Sequence, residues 1–380
     1  MDFTLTEEQQ MLRDTAARLV RDEYSFEARE RFRQSPPGFS RPFWSKLGEL
    51  GLTAVPFPET LGGFAGSGIE TLQVMTELGR GLCLEPYLHS VIYAGGLLAQ
   101  LGTDEQKARL LPDLAAAHEQ WAVAFDEPQS HYLLEDVQTR AVEADGGYRL
   151  SGRKAVVIGG HSADWLLVSA RTSGQDCDPA GISLFLVDPQ AQGVQRRDYP
   201  CIDGPMACEL WLDEVLVPPG QLLGVPGEAL AAMRYHQGRA IAAQCGEALG
   251  SMQEACTLTL AYLKLRRQFG VPIGKFQVLQ HCMVDMQIEL EQATAMAMLA
   301  ACVADDADSP ERSRSLANAK YICARAGRVI AEQAIQLHGG IGMTWEYVLA
   351  HHAKRLVMLS HQFGDEDHHL RVYSELLEVA

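Results

Sequence analysis

The 380-residue sequence is short of cations and of long apolar runs, and both deficits exclude classes of function. Lys and Arg number 32 against 49 Asp and Glu, which gives a net charge of −17. Such an excess of negative charge disfavours a nucleic-acid or anionic-membrane surface. No apolar stretch approaches the roughly 20 residues of a membrane-spanning helix, and the N-terminus lacks a leader-like basic and apolar segment. We therefore expect a cytoplasmic protein without membrane insertion or nucleic-acid binding.

Common catalytic and cysteine motifs are also missing. The nine cysteines form no C-x-x-C pair, and six of them lie in apolar, helix-like stretches, which predicts buried thiols in a reducing compartment. No G-x-S-x-G or H-E-x-x-H sequence occurs, so the usual signatures of serine hydrolases and zinc proteases are absent. The stretches GFAGSG and GVPIGKF have the wrong glycine spacing for a dinucleotide fingerprint and a phosphate loop. Both are interpreted as loops.

The periodicity of the apolar residues divides the chain into three parts. Helical spacing runs from a T-x-x-Q capping box at Thr6 to about residue 119. Short β-rich pieces separated by Gly, Asp and Pro turns occupy residues 120–222. Helical spacing then returns over residues 223–380. The predicted order of domains is helices, strands, helices.

The stretch HQFGDEDHHLR, residues 361–371, allows two interpretations. On a helix, Asp365, His368 and His369 would share a face and could converge on a metal ion. The alternative is a solvated helix start capped by Asp365 or Asp367, because charged runs are common at helix starts. Nothing else in the sequence completes a ligand set, and no metal is expected.

Several motifs together resemble the acyl-CoA dehydrogenase family. They are R-x-x-F-G-x-P-I-x-x-F-Q from Arg266, QLHGGIGMTWE, WSKLGELGLTAVPFPETLGGF, and GRKAVVIGGHSADWLLVSART, and they cover nearly the whole chain in the family's order. The resemblance implies an α+β fold with an N-terminal helical domain (1–119), a middle β-barrel domain (120–222) and a C-terminal four-helix bundle (223–380) that packs subunits together.

The same resemblance implies an FAD-dependent oxidoreductase that desaturates an acyl-CoA thioester between its α and β carbons. A carboxylate removes the α proton while a hydride passes from the β carbon to the flavin. Electron-transfer flavoprotein is the expected electron acceptor, and a homo- or hetero-oligomer, dimer or tetramer, is the expected assembly.

By similarity, one half of the FAD site is complete. The residues expected at the diphosphate and adenosine side are Arg266, Phe269, Gln277, Gln336, Gly339 and Gly340. A guanidinium suits a diphosphate, and a Gly-Gly turn lets the backbone approach it closely. In the family these residues reach the flavin of the neighbouring subunit.

The flavin-ring half departs from the family. Phe125 is still expected beside the cofactor, but Asp126 replaces the threonine of a T-E-P motif. Residues 156–158 are Val, Val and Ile where the family has an aromatic residue, Ile and Thr. A stacking ring and two hydroxyl donors are lost, and a carboxylate would oppose the negative charge of a reduced flavin.

The catalytic base is absent from its usual position. Aligning FGDE with the family's Y-E-G-T puts Phe363 at the aromatic residue and Gly364 at the glutamate. A second position used by some members falls on Ala240. Glu247 lies seven residues later, on nearly the same helix face. It is interpreted as an unconventional base, a buried structural carboxylate or an ordinary exposed residue.

Three functions therefore remain. The chain is a self-sufficient acyl-CoA dehydrogenase using Glu247, a base-lacking subunit that completes the FAD site of a partner, or a binding protein that keeps the fold without redox chemistry. The intact cross-subunit half favours the second. The FGDEDHHLR ending also resembles the small subunits of bacterial heteromeric members that act on pimeloyl-CoA or sterol side-chain thioesters.

Overall fold

The computed structural model describes residues 4–378, and the side chain of residue 378 lies outside that description. The N-terminal part is helical, and the predicted capping box forms, with Gln9 N donating to Thr6 Oγ1 at 3.2 Å and Thr6 N to Gln9 Oε1 at 3.0 Å. A π-helical segment, Leu88–Gly95, precedes the fifth helix. The helices are α1 (Glu7–Glu23), α2 (Phe26–Arg33), α3 (Arg41–Glu49), α4 (Gly68–Arg80), α5 (Gly96–Leu101) and α6 (Asp104–Ala115).

The middle part is one eight-stranded sheet. Its strands are β1 (Trp121–Ala124), β2 (Arg140–Ala144), β3 (Gly147–Ile158), β4 (Trp165–Arg171), β5 (Ile182–Val187), β6 (Val194–Pro200), β7 (Met206–Val217) and β8 (Leu222–Leu223). The order is β6-β7-β3-β2-β4-β5-β8, with β1 pairing with β4. The β1–β4 and β2–β4 pairs are parallel and the others are antiparallel.

The C-terminal part is a bundle of long helices with a short hairpin after the first. Its elements are α7 (Leu230–Leu265), β9 (Arg267–Gln268), β10 (Val271–Pro272), α8 (Gln277–Val303), α9 (Pro310–His338), α10 (Val348–His361) and α11 (Glu366–Glu378). Alanine and leucine dominate the buried faces of α7 to α10, which form one apolar core. The predicted α+β class and its three-part order are confirmed, whereas the exact domain boundaries stay a prediction.

Helix α7 joins the N-terminal part to the bundle. A Cβ on Gly250 would lie 1.8 Å from the Thr76 carbonyl oxygen of α4, and one on Gly79 would lie 2.1 Å from the Glu247 carbonyl oxygen. Only glycine permits backbones to approach so closely. Helices α4 and α7 are thereby held together at the level of Glu247.

The fold bears on two expectations from the sequence, the lack of a membrane-spanning helix and the burial of the thiols. Within residues 4–378, no helix combines the length and the apolar character that crossing a bilayer requires. All nine cysteines are free thiols. Of the six that were predicted to be buried, Cys245, Cys256 and Cys323 are, while the other three are half-buried, so the prediction was too general.

Candidate functional site

The residues that correspond to the flavin-ring half surround a small cavity, which we call the inner cavity. Its volume is about 30 Å³. Aromatic rings fill its centre, because Tyr93 packs edge-on against Phe125 at 5.2 Å and against Phe363 at 5.9 Å between ring centroids. A space of this size holds about one water molecule. The lining residues are His89, Tyr93, Val123, Phe125, Asp126, Leu134, Val156, Ile158, Gln237 and Phe363.

Strand β3 bulges beside this cavity. Its pairing with β7 shifts register between Lys154 and Val157, and Val156 takes a left-handed backbone with φ +50°. A β-branched residue in this conformation is strained by about 1–3 kcal/mol. Val156 is 49% exposed, whereas Val157 is buried. The bulge therefore presents an apolar side chain where the family presents donors and a ring.

Asp126 brings a carboxylate to the wall of the cavity. The group is solvent-accessible from the surface, yet the surrounding protein raises its pKa by desolvation, while the nearby Lys154 ammonium opposes the rise. Lys154 itself is fully buried and bonds Glu127 Oε1 at 2.6 Å and Ser169 Oγ at 3.0 Å. The lysine is therefore engaged elsewhere and leaves Asp126 without a direct partner in residues 4–378.

Gly364 stands in a turn that has no room for a side chain. Its φ is +106°, and a Cβ would lie 2.5 Å from His368 Cδ2 and 2.7 Å from His369 Nε2. His369 Nε2 lies 2.9 Å from the Phe363 carbonyl oxygen, so the imidazole donates a proton there and fixes the turn. Two imidazole rings thus occupy the space beside the position where the family has its base.

The interpretation of residues 361–371 as a helix start fits the geometry. The Asp365 carboxylate accepts from His368 N at 2.9 Å and so caps α11. Burial, together with the positive charge of Lys320, lowers the pKa of His369 to about 3. Among the residues described, no group of three or more His, Cys, Asp or Glu is arranged to hold a metal ion.

Glu247 is a buried carboxylate held by an arginine. Only 7% of the residue is exposed, and its Oε1 lies 2.6 Å from Arg355 Nε. Arg355 Nη1 also bonds Asp203 Oδ2 at 2.7 Å. Burial alone would lower the pKa of Arg355, but the two carboxylates raise it well above its ordinary value. The Glu247 carboxylate is therefore held in an ion pair with Arg355.

Glu247 is also separated from the inner cavity. It lines a second space of about 30 Å³ together with Glu85 and Arg355. His89 and Ile158 line both spaces, which are therefore neighbours. Ala240, the second position considered for a base, is fully buried. Within the residues described, no carboxylate occupies a base position of the family.

A wide crevice opens on the other side of the inner cavity. Its volume is about 600 Å³, and it shares Leu134 and Phe363 with the inner cavity. Its walls come from the segment 132–135, the starts of α7 and α9, and α11. Arg234 in this crevice is paired with Glu135 at 3.1 Å. Leu134 and Phe363 therefore lie between the crevice and the inner cavity.

The residues expected at the diphosphate side all lie at the opposite end of the bundle. Tyr262 near the end of α7 stacks on His338 at the end of α9, with 4.4 Å between ring centroids. This stack brings together two exposed segments, one from each helix. The expected residues on them are Arg266, Phe269, Gln277, Gln336, Gly339 and Gly340, and all are exposed.

This end of the bundle is exposed, and some of its donors have no partner among the residues described. The Arg266 guanidinium has no hydrogen bond or ion pair among residues 4–378. A Cβ on Gly339 or Gly340 would meet no atom within 4 Å. Helix α8 begins at Gln277 without a side-chain cap; Leu279 N and Gln280 N donate to the Phe276 carbonyl oxygen, while the amides of Gln277 and Val278 have no partner within residues 4–378. Free amides at a helix start and a free guanidinium are suited to an anion.

The two half-sites cannot belong to one bound cofactor. Gln237 of the inner cavity and Arg266 are 29 residues apart along α7 and its end. At about 1.5 Å per residue this is about 44 Å, more than a dinucleotide cofactor spans. A dinucleotide bound at one of these two places would therefore not reach the other.

Three residues at the site were not identified from the sequence. His89 and Tyr93 lie in the π-helical segment, and Arg355 lies in α10. His89 is 8% exposed, and among residues 4–378 its imidazole makes a ring contact with Phe363 but no hydrogen bond. For His89 the sequence signal is a single polar residue within an apolar run. Such a residue is more often a core residue whose hydrogen bonds are satisfied.

Comparisons with known proteins identify the family. The models for the N-terminal, middle and C-terminal domains of acyl-CoA dehydrogenase match residues 6–118, 122–215 and 227–376. The "Probable acyl-CoA dehydrogenase YngJ" of Bacillus subtilis (strain 168) is 31% identical over 352 residues, 91% of this chain and 92% of the relative. The chain belongs to the acyl-CoA dehydrogenase family, whose members are FAD-dependent oxidoreductases.

Two solved structures extend this comparison. A structure described as "Electron transferring flavoprotein of Acidaminococcus fermentans: Towards a mechanism of flavin-based electron bifurcation" matches with TM-score 0.91 and 27% identity, over 99% of both chains. The Tcur3481-Tcur3483 steroid ACAD matches with TM-score 0.88 and 30% identity, also over 99% of both chains. Both likenesses extend over all three parts of the fold.

The family cofactor, FAD, fits one half of this chain and not the other. The open bundle end offers a free guanidinium, free helix-start amides and two unobstructed glycines, as a diphosphate requires. The inner cavity of about 30 Å³, filled by aromatic rings, offers no slot for a flavin ring. In this chain the bundle end therefore fits the diphosphate of FAD, whereas the inner cavity does not fit its flavin ring.

Proposed function

We propose that this chain is the base-lacking subunit of a heteromeric acyl-CoA dehydrogenase and that it completes the FAD site of a partner subunit. One observation carries the proposal. The two half-sites lie about 44 Å apart along α7. Only the half at the bundle end is open and carries the groups that a diphosphate needs. A chain with this asymmetry can lend a half-site but cannot offer a complete one.

The lent residues bind and orient the cofactor. Arg266 donates charge-assisted hydrogen bonds to the diphosphate, and Gln277 lies at the free amides of the α8 start. Gly339 and Gly340 allow the backbone to approach the diphosphate. Phe269 and Gln336 flank the adenosine side. When bound, FAD supplies the hydride-accepting chemistry.

The remaining catalytic parts belong to the partner in this proposal. The partner supplies the flavin-ring pocket, the carboxylate that takes the α proton and the groups that hold the thioester carbonyl. The substrate is an acyl-CoA thioester, of the dicarboxylic or sterol side-chain kind. The similarity to the Tcur3481-Tcur3483 steroid ACAD, whose name joins two proteins, supports an enzyme made of two different chains. The match to the Acidaminococcus structure supports electron-transfer flavoprotein as the acceptor.

A self-sufficient enzyme that uses Glu247 is less well supported. Its carboxylate is bonded to Arg355 at 2.6 Å and lines a space other than the inner cavity. A base must reach the proton that it removes within hydrogen-bond distance. Retention of the fold without redox chemistry has no specific observation in its favour.

The test is turnover with and without Glu247. The chain is co-expressed pairwise with each acyl-CoA dehydrogenase-family chain of its source organism, and acyl-CoA-dependent flavin reduction is measured. We expect no turnover by the chain alone, and turnover by one pair that survives Glu247→Gln, because glutamine keeps an acceptor for Arg355. A homomer that turns over and loses at least ~10² of its rate in Glu247→Gln would refute the proposal.

A further inference from the structure

A basic surface lies at the end of the bundle that carries Arg266, although the chain as a whole is strongly acidic. Between Glu254 and Asp285 the sequence contains no acidic residue. The same interval contains four cations, all exposed. We call these cations, together with the apolar side chains between them, the basic end surface. The four cations are Lys264, Arg266, Arg267 and Lys275.

These cations have no acidic partner within the residues described. Arg267 donates only to the Gly270 carbonyl oxygen at 3.1 Å, within its own hairpin. None of the four forms an ion pair with a carboxylate in residues 4–378. A diphosphate carries two negative charges, and Arg266 with the α8 amides already serves it. Three exposed positive charges remain beyond the need of the cofactor.

Large apolar side chains lie among the cations. Phe269 is 91% exposed and Leu265 80%. Phe269 also packs edge-on against Phe276, with 6.1 Å between ring centroids. An apolar centre with a charged rim is the usual composition of a protein interface. Nucleic acid would not cover the apolar centre, and the net charge of −17 would repel it.

We propose that the flavin-bearing partner meets the basic end surface with an apolar socket rimmed by acidic side chains. This inference rests on the proposed function, because it assumes that the lent half-site docks on a second chain. The charge pattern then selects the partner. Complementary charge speeds encounter with an acid-rimmed subunit and disfavours a basic one.

The test is the salt dependence of assembly. We choose Lys264→Glu with Lys275→Glu, which lie outside the proposed cofactor contacts, and a neutral pair, Lys264→Gln with Lys275→Gln. The matched control, Arg18→Glu with Arg109→Glu, changes net charge equally on exposed positions of the N-terminal helices. Each variant is titrated against the partner found by the pairwise co-expression, and the dissociation constant is measured at low and high salt.

We expect the Lys264 and Lys275 reversal to weaken assembly at least tenfold at low salt, with a smaller loss for the neutral pair. The difference should disappear near 1 M salt, where the Debye length is about 3 Å. Unchanged assembly of the reversal, or an equal loss in the control, overturns the inference and leaves the proposed function standing. If no chain of the organism forms a complex, both fail together.

Discussion

Placing a side chain at Gly364 is predicted to destabilise the protein and not to create a base. Two costs add in Gly364→Ala. A φ of +106° is outside the range that L-residues normally adopt, which costs about 1–2 kcal/mol. A Cβ 2.5 Å from His368 and 2.7 Å from His369 forces both rings to move, which costs about 1–3 kcal/mol more. The total is about 2–5 kcal/mol.

Gly146 provides a matched control. It sits between β2 and β3 with φ +88°, and a Cβ there would meet no atom within 4 Å. Gly146→Ala should therefore lose only the backbone cost of about 1–2 kcal/mol. Urea denaturation of both variants separates the clash from the backbone effect. Equal losses in the two variants, or acyl-CoA turnover by Gly364→Glu purified alone, would show that the space beside Gly364 is not closed.

Three further predictions concern flavin binding, pH and metal. Arg266→Ala should lower flavin affinity in the assembled enzyme by about 1.5–3 kcal/mol for a lost charged hydrogen bond, and an unchanged flavin content after dialysis would remove Arg266 from the site. Burial raises the pKa of Glu85 to about 7 from 4.5. The folded state therefore binds more protons than the unfolded chain between these values, and stability falls as pH rises from about 4.5 through 7, by about 3 kcal/mol. Glu85→Gln should flatten that decline in unfolding free energy, and an unaltered slope would contradict the assignment. Elemental analysis should find no stoichiometric zinc, iron or nickel, and a metal bound at His368 or His369 would overturn the helix-cap interpretation.

The three-part fold was predictable because its signals are local. The change of apolar period near residues 120 and 222 follows directly from helix and strand geometry. The capping box at Thr6 depends on residues three positions apart. The family motifs gave the fold class for the same reason, because each is a short contiguous run.

The state of the candidate site depended on long-range contacts that no local pattern contains. The partner of Glu247 is Arg355, 108 residues later, and the choice between base and structural carboxylate depended on that contact. Asp203, the second acidic partner of Arg355, comes from the sheet domain. The small size of the inner cavity depends on a contact between Phe363 and Tyr93, which are far apart in the chain. The sequence could therefore name the missing base but not the rings that fill its place.

The number of flavins per chain tests the central claim most directly. The chain is purified alone and in its co-expressed complex, and the visible flavin spectrum is compared with the protein concentration of each subunit. We predict no flavin on the chain alone and, in a complex of equal chains, one flavin for every two chains, because only the partner contributes a ring pocket. One flavin per chain in a pure homomer, reduced by acyl-CoA, would contradict the account.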